Sequence, residues 1–237
     1  MAVTRVQKVT NQTAANSPAS ITATFASTTA GNLLLLFVAV SGSPVAITTP
    51  TNWTAIQVST ATDPMIALYA FPNNPGGITV VTVTVTATNG GAAVMGYEFS
   101  GFGASNLAPV EFSTIVSGTG TAIPNLFPTN MPSPNEAVVY GTAGDASVTF
   151  TQTQTPEFTS DGGTSSTVAT TNIALKCQNA TNASSNSPQA SVSLSVSEAW
   201  KAIAARFQSN QGNITYDSVG GLAGVYVGQF FQGSIGG

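Results

Sequence analysis

The sequence runs to 237 residues, 42% hydrophobic but only 6% charged, with five basic and nine acidic side chains, a net charge of −4 and no histidine. Arg5, Lys8, Lys176, Lys201 and Arg206 are too few and too scattered to neutralise a phosphate backbone, so no nucleic acid partner is expected. The missing histidine removes Ser-His-Asp and Cys-His catalysis together with the commonest zinc ligand.

Ordinary soluble domains carry roughly 25% charged residues. A surface this poor in charge is solvated by hydroxyls, amides and backbone, and it repels its neighbours weakly. Sister copies or other chains are the natural partners.

In chain order, the opening stretch MAVTRVQKVTNQTAANSPAS lacks the continuous apolar core of a secretory signal, so the chain is expected to stay where it is made. Residues 1–16 are read as an N-terminal arm and residues 17–208 as a β-sandwich domain. Thr and Ser saturate this region and, with Val and Ile, favour pleated strands over helices, where branching at Cβ costs side-chain freedom. Strands are expected over 21–25, 32–41, 54–59 and 65–71.

Residues 33–40 form the longest apolar run, far short of the ~20 that cross a bilayer as a helix, so no membrane partner is expected. Being apolar on both faces, the run belongs in the middle of a sheet that is covered on its outer side or by a neighbouring subunit.

Residues 78–88, ITVVTVTVTAT, set Val81, Val83 and Val85 on one face and Thr82, Thr84 and Thr86 on the other, the period of a half-buried strand. Asn73-Asn74-Pro75-Gly76-Gly77 before it and Asn89-Gly90-Gly91 after it are turn signals, which implies a hairpin meander. Further strands are expected over 92–100, 112–117, 136–141, 147–151, 167–176, 190–196 and 200–207. About a dozen short strands at this spacing mean a sandwich or barrel. Residues 197–208, SEAWKAIAARFQ, put Trp200, Ile203, Ala204 and Phe207 at helical spacing and equally put Ile203, Ala205 and Phe207 on one side of a strand.

Beyond this the composition shifts to Gly, Gln and aromatics, and residues 209–237 read as a C-terminal tail too small for its own core. It nonetheless carries Ile214, Tyr216, Leu222, Val225, Tyr226, Val227, Phe230 and Phe231. Leaving these wet costs about 25 cal/mol per Å² of apolar area, so they are the candidate interface residues, docking on an adjacent chain or adding a strand to its sheet. Folding back on its own sandwich is the alternative.

The search for chemistry returns little. Glu98 and Glu111, each among aromatics, form the one carboxylate pair suggestive of glycoside hydrolysis. Their strand positions beside Gly-rich turns suit carboxylates that accept backbone N–H bonds. Cys177 is alone, so it makes no intramolecular disulfide and reads as a small buried hydrophobe. Asp63, Asp145, Asp161 and Asp217 occur singly, without the spacing that converges oxygens on calcium. Gly101-Phe102-Gly103 and Gly118-Thr119-Gly120 read as turns. Trp53, Tyr69, Tyr97 and Trp200 are the residues to consider for a carbohydrate platform, or else core and interface anchors. No catalytic residue, metal site or cofactor is assigned.

Several segments, in order, carry a resemblance: Ala30-Gly31-Asn32-Leu33-Leu34-Leu35-Leu36, Asn52-Trp53-Thr54, Met65-Ile66-Ala67-Leu68-Tyr69-Ala70 and Gly76-Gly77 leading into the Thr/Val strand. Gly96-Tyr97-Glu98-Phe99-Ser100-Gly101 and the stretch from Ala199 to Phe207 complete it. Together they resemble a β-sandwich, jelly-roll-like domain that recurs in bacteriophage virion proteins and bacterial surface proteins. In that resemblance the Trp200 segment is the last strand, and the domains are non-catalytic modules on particle or cell exteriors, some adhesive or sugar-binding.

The expected protein is therefore an all-β, antiparallel sandwich with an extended tail, acting in a virion as a capsid decoration or cement protein. Its expected partners are its own copies, with a trimer suited to local threefold positions, and the major capsid protein. A tail or fibre component, or a module that grips a surface glycan, is the alternative.

Overall fold

The computed structural model describes residues 2–13, 16–43, 45–102, 110–128, 135–145, 147–154, 158–166, 173–181 and 189–209. Among them no residue is helical, and fourteen strands follow one another. These are β1 (Thr4–Gln12), β2 (Ser20–Thr24), β3 (Leu33–Val40), β4 (Val45–Ile47), β5 (Thr54–Val58), β6 (Met65–Phe71) and β7 (Val80–Ala87). The second half contributes β8 (Ala92–Ser100), β9 (Val110–Ile123), β10 (Glu136–Gly144), β11 (Phe150–Gln154), β12 (Thr159–Ser166), β13 (Ile173–Thr181) and β14 (Ala190–Gln208).

Three antiparallel sheets stack into the expected sandwich. The middle sheet has five strands in the order β1-β8-β3-β6-β5, and a three-stranded sheet, β2-β7-β4, covers one face of it. A six-stranded sheet covers the other, in the order β11-β14-β10-β13-β12 with β9 also paired to β14.

The stacking explains the apolar run. In β3, Leu33, Leu35, Phe37 and Ala39 face the six-stranded sheet while Leu34, Leu36, Val38 and Val40 face the three-stranded one. All eight are 0% exposed, each fully buried branched or aromatic side chain stabilising the fold by roughly 1.5–3 kcal/mol. The cover on both sides comes from the same chain.

The outer sheet shows the opposite pattern. Along β7, Val81, Val83 and Val85 are buried and Thr82, Thr84 and Thr86 exposed, as a strand with one wet face requires. On the far side of the six-stranded sheet a third cluster covers the outer face, where Phe127 packs against Phe158 with ring centroids 5.7 Å apart and against Phe112 at 6.2 Å.

β14 is a strand throughout, with Ile203, Ala205 and Phe207 on the inner core and Trp200, Ala202 and Ala204 on the outer cluster. It is one nineteen-residue element where two were expected. Its first half pairs with β11 and its second with β10, and it shifts register against β9 between Ser193 and Glu198.

Two expectations need correcting. The N-terminal segment does not stand apart as an arm: β1 is an edge of the middle sheet, paired with β8 from Thr4 opposite Ser100 to Gln12 opposite Ala93 with one register shift between Arg5 and Gln7. Val3 is buried in the main core. Gly118-Thr119-Gly120 is not a turn either, since it lies inside β9. Gly118 is there because the Trp200 ring lies across it, and a Cβ at that position would sit 2.5 Å from Cζ2 of the indole. The expected tail beyond Ser209, with its candidate interface residues Ile214, Tyr216, Leu222, Val225, Tyr226, Phe230 and Phe231, lies outside the described residues.

Candidate functional site

Three buried polar clusters stand out in a chain with so few charges. The first centres on Glu98 in β8, which is 0% exposed. Its Oε1 accepts the backbone N–H of Thr29 at 2.7 Å and Asn32 Nδ2 at 2.6 Å, and its Oε2 accepts Gln7 Nε2 from the adjacent β1. Gln7 in turn accepts the backbone N–H of Ala26 at 3.0 Å.

Next to it, Asn74 accepts the Thr28 hydroxyl at 3.1 Å and donates to the carbonyls of Thr29 and Asn32 at 3.0 and 2.8 Å. The Gly31-Asn32, Gly76-Gly77 and Glu98 segments therefore converge on one buried network that fastens the turn before β3 and the connection before β7. A carboxylate whose oxygens are occupied by three donors accepts backbone N–H as its strand position suggested.

The second cluster joins β9, β10 and β14. The Arg206 guanidinium, 1% exposed, contacts Glu136 of β10 and lies 3.1 Å from Glu111 Oε2 of β9. Two carboxylates share one cation, Glu136 buried with it and Glu111 exposed at the surface. Burial pushes the Glu136 carboxyl up to about 7, Arg206 pulls against that rise, and Glu111 adds to it. Glu98 and Glu111 are thus not brought to a common groove: one is locked in the middle sheet and the other pairs with an arginine on the six-stranded sheet.

The third lies five residues earlier on β14. Lys201, 4% exposed, donates from Nζ to the carbonyls of Thr60 and Thr62, both at 2.8 Å, and to the Thr62 hydroxyl at 2.7 Å. It pins the 59–62 turn of the middle sheet to the six-stranded one. Burial lowers the Lys201 ammonium below its ordinary value, with Asp63 opposing, and burial raises the Asp63 carboxyl, with Asp145 adding to the rise. Asp145, distant in the sequence, is near enough in the fold for its charge to act on Asp63. A cleft of about 210 Å³ opens here, lined by Asp63, Pro64, Ser117, Gly118, Trp200 and Lys201. Its lysine is already committed to the threonines.

Among the described residues no group of three or more Cys, Asp or Glu side chains could hold a metal ion. Asp145 Oδ1 instead accepts the N–H of Ser147 at 2.8 Å. Cys177 is 0% exposed in the central core, the small buried hydrophobe expected of it. Of the four large aromatics, Tyr69 and Tyr97 are 0% exposed, Trp200 6% and Trp53 9%, so they are core and present no open platform. Asp217 lies outside the described residues.

Sequence reasoning passed over the Lys201 and Arg206 clusters. One signal was available: two of the five basic residues sit within a single apolar stretch, AWKAIAARF, where a charge stays only if buried partners meet it.

No family model, no curated protein and no solved structure matches the chain. The fold and its clusters define a three-layer antiparallel β-sandwich whose described buried charges fasten turns and strand ends.

Proposed function

We propose that this protein is a structural component of a bacteriophage particle, acting as a capsid decoration or cement protein that stiffens its surroundings through contacts between chains. The observation that carries the proposal is a three-layer block with a hydroxyl-rich, charge-poor exterior, continuing into residues 210–237, which carry large apolar side chains such as Tyr226, Phe230 and Phe231 among glycines. Each contact would be modest, and many copies on one particle add up through multivalency. Self-association and binding to a major capsid protein follow from the same properties, with assembly in the host cytoplasm.

A tail or fibre component would draw on the same block. A module that grips a surface glycan would need exposed rings, and Trp53, Tyr69, Tyr97 and Trp200 are packed inside. A glycan array separates these roles, since a cement protein shows no saturable sugar binding.

Sedimentation velocity on the full chain and on a chain ending at Ser209 tests the proposal directly. The full chain is expected to form a discrete oligomer or to cosediment with capsids, and the shortened one to lose that behaviour. Identical monomers from both, neither binding capsids, would contradict it.

A further inference from the structure

We infer that the outer edge of β9 is a docking surface for a second copy of this chain, and that the occupant is the segment 222–231, LAGVYVGQFF, added as an extra strand. The step deepens the assembly role proposed above and rests on it. A strand at a sheet edge presents unpaired N–H and C=O groups that template the pairing of another chain, so soluble proteins blunt their edges with short strands, bulges, lysine or proline.

Among the described residues, the other edges of this fold are blunted in those ways, whereas β9 has them only near its ends, as Glu111 and as register shifts against β14 at Arg206/Phe207 and Ser193/Glu198. β1 carries Arg5 and Lys8 and a register shift between Arg5 and Gln7. β12 shifts register between Ser160 and Gly163, and β5 between Ala55 and Gln57. β2 and β11 are five residues long and β4 is three.

β9 spans fourteen residues and, among the described residues, pairs only with β14. Its residues 112–120 stay in unbroken register with Glu198 to Arg206, and FSTIVSGTG contains neither charge nor proline. Val116 is 36% exposed. Beside it runs β5, the edge of the middle sheet, tied to β9 by Gln57 Nε2 donating to Ser113 Oγ at 2.9 Å and bearing Val58, 40% exposed. The two valines face opposite sides of the sandwich: Val116 is opposite Ala202 on the outer face of the six-stranded sheet, and Val58 is opposite Ala67 on the face toward the three-stranded sheet.

The segment 222–231 matches this surface in kind: it is uncharged, ten residues long and rich in Val, Tyr and Phe. Backbone pairing would supply the affinity, and alternate side chains on the outer face would cover Val116. Its starting point puts a neighbour's β9 within reach. β14 ends beside the first residue of β9, with Phe207 opposite Val110. A return onto the same edge needs only a few residues. Twelve residues, 210–221, intervene, enough to reach about 40 Å when extended.

Disulfide trapping tests this. Two preparations of the full chain carry Cys177→Ala and different affinity tags, one with Val116→Cys and the other with Val225→Cys or Val227→Cys, and are mixed and oxidised. A disulfide between the two tagged chains is expected at least about tenfold above that of a control with Val6→Cys on β1, as docking raises the local concentration. No excess over the control, in a full chain that still forms oligomers, overturns the β9 surface while leaving the assembly role standing. A link that forms only within one chain carrying both cysteines overturns it as well. A full chain that is monomeric and binds no capsid overturns both together.

Discussion

The Glu98 carboxylate and the Asn32 side chain lie 2.6 Å apart across the start of the middle sheet, with Oε1 of Glu98 accepting from Nδ2 of Asn32. The same oxygen takes the N–H of Thr29, and the second oxygen takes Gln7, so one buried charge fastens β1, the 26–32 connection and β8. Glu98→Gln would place a donor where a second acceptor is needed. The expected cost is about 2–4 kcal/mol of stability, read as a lower denaturation midpoint with unchanged far-ultraviolet circular dichroism in the folded state. A polysaccharide-hydrolysing activity present in the parent chain and lost in this variant would instead give Glu98 a chemical role.

Gly141 of β10 faces Phe37 of β3 so closely that an added Cβ would stand 2.5 Å from Cε1 of the ring. This approach sets the spacing between the middle and six-stranded sheets. Gly141→Ala is expected to destabilise the fold by about 1–3 kcal/mol, and Phe37→Leu in the same chain to recover part of that loss. Additive losses in the double variant, measured by chemical denaturation, would show that the ring is not what the new methyl meets.

The Glu136 carboxyl, raised from an ordinary value of 4.5 to about 7, makes the fold sensitive to pH in a stated direction. Below the lower value it is neutral in both folded and unfolded chains. As pH rises between the two values the unfolded chain ionises first, so this group's contribution to stability falls, and above about 7 the loss is complete. The stability difference between Glu136→Gln and the parent should therefore shift in favour of the variant between about pH 5 and about pH 8. A shift the other way would mean that the Arg206 contact outweighs burial.

Lys201→Met should act locally. It keeps the apolar stem but strands the carbonyls of Thr60 and Thr62 without their donor. A loss of about 1–3 kcal/mol is expected, with amide exchange accelerating first in residues 59–62. Exchange that accelerates evenly across β10 and β14 would contradict a turn-fastening role.

The elements that were legible in the sequence are those whose side chains report their surroundings. The unbroken apolar run of β3 needed cover on two faces, and the Val/Thr alternation of β7 needed it on one; both are met. β12, whose sequence TSDGGTSS has no apolar residue, is held by its ladder to β13, and such pairing leaves no periodic mark. β1 reads as an arm in the sequence because its half-buried positions are Arg5, Gln7 and Val9, mostly polar, so burial and hydrophobicity part company there. The Glu98 network was half visible, as a carboxylate on a strand next to glycines. Its partners, Gln7, Thr29 and Asn32, lie 66 to 91 positions away, a separation that only the fold closes. Arg206 and Glu136 meet for the same reason.

The central claim is that this chain serves by being built into a particle. Quantitative mass spectrometry of purified virions of the proposed phage measures this most directly. A copy number of the same order as the other structural chains is the expected result, and absence or trace amounts from intact particles would contradict it.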